Sequence, residues 1–372
     1  MRILGRLVTI AAAVIVGGCQ AAPAGTIGPS SPSAAATTVV TPSVPATASS
    51  AASAVALPTA PPVSLLVDTD GAPDDLVAIS FLVAAPNVTL EAITVSGTGE
   101  IHCPGGVDIV LRLLERLGSP EIPVACGTDR PIALGHVFPD LFRSNADAAA
   151  GLDLPSTTRS AAKATAVELI RSTVADGGGH LRILTLGPLT NLAQALTERP
   201  ELAKSIEAVY VMGGALDVPG NIAGSPGGPQ DNTAAEWNVY VDPAALARVL
   251  AAGTDVRLVS LDGTNQVPVT TSFAERVRAT ASGAPLAVLA ELFQKNEYMT
   301  SGRYYLWDTV AAIAAAGYPV VDFTGVEITV DVTEGATSGA TRRGHGPPNA
   351  QYLTRADAAT IEALLLYVMN RS

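Results

Sequence analysis

The chain is 372 residues long and 48% hydrophobic, enough to bury a large core. Only 15% of it is charged, and 34 Asp and Glu against 22 Lys and Arg leave a formal net charge of −12. That balance repels phosphate backbones and argues against nucleic acid as a partner, while saying nothing about small neutral ligands.

Residues 1–18 read as a targeting segment rather than as fold. Arg2 and Arg6 supply a positive start, and Leu7 to Val16 form an apolar run too short to span a bilayer. The Val16-Gly17-Gly18-Cys19 that follows resembles a bacterial lipobox. It implies Cys19 as the lipidated first residue of a mature, extracytoplasmic chain anchored to the cell membrane; with an incidental Cys, the chain would be secreted. Residues 19–62 form the next segment, and positions 20–62 contain neither a charge nor an aromatic. Such a stretch cannot offset its ordering entropy and reads as a disordered linker. As a flexible coil it would reach roughly 35–40 Å on average, which suits a tether.

From Val63 the pattern changes, and residues 63–372 read as one domain. Ser64–Val67, Leu90–Val95, Ile122–Ala125, Leu181–Leu186, Ala208–Met212 and Val256–Leu261 are apolar strand runs. Leu76–Ala85 and Val107–Leu117 are helical, and helical stretches separate most of the other strands. Alternating strands and helices predict an α/β fold with a doubly wound, mostly parallel, Rossmann-like sheet covered on both faces. The ligand crevice of such a sheet lies beyond the carboxyl ends of its strands. Polar clusters fall there repeatedly: Asp68 to Asp75, Gly97 to Glu100, Gly187 to Asn191, and Gly213-Gly214. Cys103 and Cys126 could pair in an oxidising compartment, but Cys126 closes an apolar strand, where Cys serves as a small buried residue; the second reading is favoured.

Asp68, Asp70, Asp74 and Asp75 place four carboxylates within eight residues, around a turn containing Gly71 and Pro73. Unpaired in a crevice they would repel one another. A hard divalent cation, calcium or magnesium, resolves the conflict. The plainer alternative is an acidic loop capping the next helix through Asp74 or Asp75. The spacing is not that of an EF-hand, which needs Gly sixth in the loop, whereas Gly71 is fourth from Asp68. A strand followed by Asp-x-Asp-Gly also resembles the haloacid-dehalogenase phosphatases, yet no convincing later Lys and acidic pair accompany it.

Asp68-x-Asp70-x-x-x-Asp74-Asp75 after an apolar strand resembles the signature of the inosine–uridine-preferring nucleoside hydrolases. The likeness continues through Leu186-Gly187-Pro188-Leu189-Thr190-Asn191, Met212-Gly213-Gly214-Ala215 with Gly220-Asn221, Ala235-Glu236-Trp237-Asn238 to Pro243, and Trp307-Asp308. The resemblance implies that Asp70, Asp75, the Thr190 carbonyl and Asp308 ligate calcium. It implies further that Asp70 accepts a proton from metal-bound water, and that Asp74, Asn221, Glu236 and Asn238 hold the ribose hydroxyls of a ribonucleoside. A metal-bound water is a nucleophile near neutral pH, and carboxylates stabilise the cationic sugar formed as an N-glycosidic bond breaks.

Trp307 stands where the best-known branch has a His that acts as acid, and matches a purine-preferring branch in which Trp stacks on the base. Purine ribonucleosides are therefore the expected substrates. Gly71-Ala72 replaces the usual Pro-Gly, and Thr98 replaces a usual Asn. About nine extra residues separate Asn221 from Glu236, so Asn232 competes with Asn221 for the ribose. His102, and beyond it His136, are the alternative acids, and Phe138 is a candidate lid aromatic. A non-catalytic nucleoside-binding lipoprotein is the second functional reading. The oligomeric state is left open, a homo-oligomer included.

Overall fold

The computed structural model describes residues 57–371. The targeting segment, Cys19 and the linker up to residue 56 lie outside these residues. β1 (Val63–Thr69) opens the fold, followed by α1 (Pro73–Ala84), β2 (Val88–Val95), α2 (Gly105–Arg116), β3 (Val124–Cys126), α3 (Asp140–Asp147), α4 (Ala166–Asp176), β4 (Leu181–Thr185) and α5 (Thr190–Glu198). Next come β5 (Ile206–Met212), α6 (Trp237–Val241), α7 (Pro243–Ala251), β6 (Val256–Val259), α8 (Leu261–Thr264), α9 (Thr271–Thr280), α10 (Ala284–Lys295) and α11 (Trp307–Ala315). The chain closes with β7 (Val321–Val326), β8 (Ile328–Val330), β9 (Thr341–Arg343), β10 (Ala350–Ala356) and α12 (Ala358–Met369).

Eight strands form one sheet in the order β3-β2-β1-β4-β5-β6-β10-β7. All neighbours are parallel except β7, which runs antiparallel to β10 at the edge. Strand order reverses direction between β1 and β4, which places the crevice of a doubly wound sheet at their carboxyl ends. β1 shows why the sheet is buried on both faces. Leu65 and Val67 pack into the apolar cluster built with α1, α10, α11 and α12, while Leu66 between them packs into the cluster of α4, α5 and α7. Alternate residues of a strand face opposite sides, so a continuous apolar run serves two helical layers.

The six strand runs of the sequence are all present, with shifted ends: Ile122 precedes β3, and Leu261 begins α8. The edge strand β7 and its neighbour β10 were not foreseen. Their apolar residues are broken by Asp322, Thr324 and Gly325 in β7, and by Gln351 and Arg355 in β10. The β8–β9 ladder is a separate two-stranded sheet with three residues per strand, too short to show a period. Cys103 and Cys126 are joined as a disulfide, with Cα atoms 5.8 Å apart, against the reading of Cys126 as a lone buried thiol. The bond ties the loop after β2 to the end of β3. The strand-end position that suggested packing also brings the two residues together, because β2 and β3 are neighbours.

Candidate active site

β1 delivers the acidic turn to the crevice. Gly71 has a φ of 72°, and a Cβ there would lie 2.7 Å from the Ile101 side chain, so the turn requires glycine. Pro73 then starts α1 with its φ pre-set, leaving Asp74 and Asp75 in the first helical turn. Asp308 occupies the first turn of α11, which packs against α1. Two helix N-termini, each favouring negative charge, thus bring their acids together. One oxygen each of Asp74, Asp75 and Asp308 lies within 4.8 Å of the other two.

Asp70 stands beside this group. Its backbone N donates to Asp75 Oδ1 at 3.0 Å, and the Thr69 hydroxyl donates to the same oxygen. Its carboxyl is slotted against backbone: a Cβ on Gly99 would meet Asp70 Oδ2 at 2.2 Å, and one on Gly187 would meet Asp70 Cβ at 2.5 Å. Glu100 N donates to Asp70 Oδ2 at 3.2 Å. Burial, then the neighbouring Asp75, pushes the Asp70 carboxyl well above the usual range. The same causes raise Asp74 to about 7, although the nearby Tyr304 hydroxyl lowers it. Asp308 is raised by burial and by Asp74 and Asp75, and Glu100 by burial and by Asp74.

Such a cluster is costly without a counter-charge. Asp75 Oδ2 is buried with no hydrogen-bond partner among the described residues. An orphaned carboxylate oxygen facing further carboxylates is a donor set that fits a hard divalent cation. Thr190, at the start of α5, is fully buried behind the turn, and its hydroxyl donates to Asp242 Oδ2 at 2.7 Å. Its side chain is thus turned to Asp242, and only its backbone carbonyl is a candidate ligand. Asp68 is also withdrawn: its Oδ1 accepts from Thr94 at 2.6 Å and Asn191 at 2.8 Å, and burial raises it to about 7. A carboxylate held in this way behind the strand end is no exposed nucleophile, which removes the phosphatase reading.

The acids form the floor of a cavity of about 260 Å³, which Asn221, Glu236, Asn238 and Trp307 also line. Glu236 caps α6, its Oε1 accepting from Asn238 N at 2.9 Å and its Oε2 from Gly214 N at 3.1 Å and Val239 N at 3.2 Å. Burial still raises it to about 6. Asn238 Nδ2 donates to Leu186 O at 2.7 Å and Met212 O at 3.2 Å, so the ends of the β4 and β5 segments orient it. Asn221 Oδ1 accepts from Trp237 N at 3.0 Å, which leaves its Nδ2 for a ligand. Asn232 does not compete: it is buried, with Nδ2 on Ser338 O at 2.8 Å and Oδ1 on Ala235 N at 3.1 Å. The extra residues before Glu236 are thus a folded excursion that leaves Asn221 in place.

The far wall is aromatic. Trp307 lies 4.8 Å from Tyr304 and 5.6 Å from Tyr305, centroid to centroid, and its Nε1 donates to Asn265 Oδ1 at 3.1 Å. Tyr298 and Arg303 complete that side. Phe138 is packed rather than free, 3% exposed and stacked 5.1 Å from Trp237. His136 stacks on Tyr240 and bonds to its carbonyl, and His102 pairs with Asp147; neither is among the residues lining the cavity. Thr98 is buried, with its hydroxyl 3.1 Å from that of Thr190. Sequence reasoning gave no role to Tyr304, Tyr305, Arg303 or Asn265. The run Tyr304-Tyr305-Leu306-Trp307 directly before an acidic motif residue was the available signal for the first two.

The comparisons with known proteins agree with this geometry. The sequence model of the family described as inosine-uridine preferring nucleoside hydrolase matches residues 65–363. The pyrimidine-specific ribonucleoside hydrolase RihA of Escherichia fergusonii is 34% identical over 232 residues, which is 61% of this chain and 69% of that protein. Among solved structures, the plant nucleoside hydrolase PpNRh1 superposes with a TM-score of 0.74 at 25% identity, covering 84% of this chain and all of that one. A purine-preferring ribonucleoside hydrolase from Gardnerella vaginalis gives 0.70 at 25% identity, over 83% of this chain and all of that one.

Proposed function

Because the chain belongs to the inosine–uridine preferring nucleoside hydrolase family, we propose that its cavity cleaves purine ribonucleosides to ribose and free base, and that Asp70, Asp75, the Thr190 carbonyl and Asp308 would hold a calcium ion. Membership makes it a hydrolase acting on the N-glycosyl bonds of ribonucleosides. The observation that carries the finer reading is the joining, in one cavity, of a carboxylate cluster, three hydrogen-bonding side chains and an aromatic wall.

When bound, a divalent cation acidifies a water molecule. The protein's part is to receive the proton and to steady the sugar. Asp70, adjoining the convergent acids, takes the proton on its carboxyl. Asp74, Asn221, Glu236 and Asn238 hold the ribose hydroxyls, and their negative field favours the cationic sugar of the transition state. Glu236, fixed by three backbone donors, and Asn238, fixed by two carbonyls, are pre-organised for this.

Purine preference is supported by Trp307 with Tyr304 and Tyr305 on the cavity wall, and by the lack of a histidine among the residues that line it. A purine offers a larger face for stacking and a ring nitrogen that can take a proton. Similarity to a pyrimidine-specific protein favours the opposite choice. Incubation with inosine, adenosine, uridine and a phosphate monoester, in calcium and in magnesium, decides among them. Purine cleavage at least about tenfold more efficient than uridine cleavage supports the proposal. Preferred uridine cleavage overturns its purine half, and tight nucleoside binding without cleavage replaces it with the non-catalytic binder.

We also propose that the enzyme works outside the cytoplasm, tethered through Cys19. The Cys103–Cys126 disulfide supports this, since such bonds persist in oxidising compartments.

A further inference from the structure

We propose that Arg143 is a positioning residue for the reaction, clamping residues 97–100 against Asp70 and so fixing the carboxyl that receives the proton. The inference rests on the reading of Asp70 given above.

Arg143, in α3, is only 7% exposed, a depth at which arginine is rare unless its donors are satisfied. All three of its nitrogens donate: Nη2 to Gly97 O at 3.0 Å, Nη1 to Gly99 O, and Nε to His102 Nε2 at 3.0 Å. A guanidinium nitrogen can only donate, so His102 Nε2 is the acceptor and the ring proton sits on Nδ1. Nδ1 donates to Asp147 Oδ2 at 2.7 Å, and Asp147 Oδ1 accepts from His102 N at 2.9 Å. Asp147, His102 and Arg143 thus form one chain of hydrogen bonds from α3 to the loop after β2.

The two carbonyls gripped by the guanidinium flank Thr98 and immediately precede Glu100. Glu100 N holds Asp70 Oδ2 at 3.2 Å, and Gly99 lies so close to Asp70 that no side chain fits between them. A shift of this loop therefore moves or frees the Asp70 carboxyl. The far end of the loop is anchored independently, by the Cys103–Cys126 disulfide and by Cys103 N on Asp129 Oδ1 at 3.3 Å. Loss of Arg143 would displace the segment by a fraction of its length and leave it attached. The planar fork spans two carbonyls at once, which the single ammonium of lysine cannot reproduce.

The test is a set of kcat and KM measurements in saturating calcium, on whichever of inosine and uridine is cleaved better. The proteins are wild type, Arg143→Lys, Asp70→Asn and the double variant. Misplacement of a reacting group by about 1 Å costs on the order of a hundredfold. Arg143→Lys is expected to lower kcat about tenfold to a hundredfold with KM changed less than about threefold. Because the effect runs through Asp70, the double variant is expected to turn over no more slowly than Asp70→Asn alone. Multiplying losses, or a kcat for Arg143→Lys within about twofold of wild type beside an inactive Asp70→Asn, overturn the role of Arg143 while leaving Asp70 as the base. Near-normal turnover in Asp70→Asn overturns both. Should the Arg143 variants fail to fold, His102→Phe removes the Nε acceptor at a half-exposed ring. A fall in kcat of at least about threefold at unchanged KM then supports the clamp, and an unchanged kcat overturns it.

Discussion

Asp75 and Asp308 stand in the first turns of two packed helices, and an oxygen of each comes within 4.8 Å of the other. Nothing in the chain between them, more than 200 residues, would place them together except the doubly wound sheet. β1 carries one acid to the crevice, and α11 carries the other against α1.

Metal and pH should therefore act together on stability. Burial raises Asp68 and Asp74 from 3.8 to about 7 in the folded chain. Between those values the folded state binds more protons than the unfolded one, so stability falls as pH rises. In chelator, these two groups leave the fold fully supported below about pH 4, and the support is lost as pH passes 7. Calcium binds only the deprotonated carboxylates, so its effect should appear mainly at the upper end. At a hundred times its Kd it should raise the melting temperature by about 4 °C at pH 7.5 and by much less at pH 5. Melting curves in calcium and in chelator at the two pH values check this; a calcium shift equal at both pH values would contradict the site.

Glu236 accepts three backbone hydrogen bonds while lining the cavity. Glu236→Gln keeps the shape, but its NH₂ faces backbone donors in place of an acceptor. Turnover should fall by at least about a hundredfold, and thermal stability should fall as well, since a buried unmatched polar group costs about 1–3 kcal/mol. Kinetics together with calorimetry would reveal a purely structural role as a stability loss without a turnover loss.

Trp307→Ala should harm purine substrates most. Stacking on a base contributes roughly 1–3 kcal/mol, and it should strengthen as the base takes up a proton, so kcat should fall along with affinity. Steady-state constants on inosine and uridine are the readout. An equal effect on both nucleosides, arising through stability alone, would make Trp307 a packing residue.

Cys19→Ala should release the protein from the membrane fraction or leave it unprocessed, because acylation supplies the membrane affinity. Fractionation and the sequence of the mature N-terminus check this. An unchanged membrane fraction, or a mature N-terminus elsewhere than residue 19, would contradict the tether.

The parts of this molecule legible in the sequence are those where one local rule acts alone. The runs Leu65 to Val67 and Ala208 to Met212 are buried on both faces, so their strands announce themselves as uninterrupted apolar stretches. Asp70, Asp74 and Asp75 are close in sequence, and their clustering needs only a turn. β7 and β10 hide because an edge strand and its neighbour tolerate Asp322, Gly325 and Arg355, which break both periodicity and propensity. The disulfide was hidden because pairing depends on β2 lying beside β3, a tertiary fact. Arg143 and Tyr304 were hidden for the same reason. Arg143 is an ordinary helix residue until the fold brings its donors to Gly97 and Gly99, and the aromatic run holding Tyr304 gains its meaning only when the fold sets it beside Asp74. The choice between Asn221 and Asn232 likewise required Ser338, more than 100 residues away.

The most direct measurement is the release of reducing sugar and free base from inosine by the calcium-saturated protein, beside Asp70→Asn and beside wild type in chelator. Wild type in calcium should release equal amounts of ribose and hypoxanthine, and Asp70→Asn should turn over at least about a thousandfold more slowly, somewhat more than general-base loss alone at about 10²–10⁴ requires at its lower end. Activity should be lost in chelator and restored by calcium. Undiminished cleavage by Asp70→Asn or in chelator, or no cleavage of any ribonucleoside by the folded, calcium-loaded protein, would contradict the proposed function.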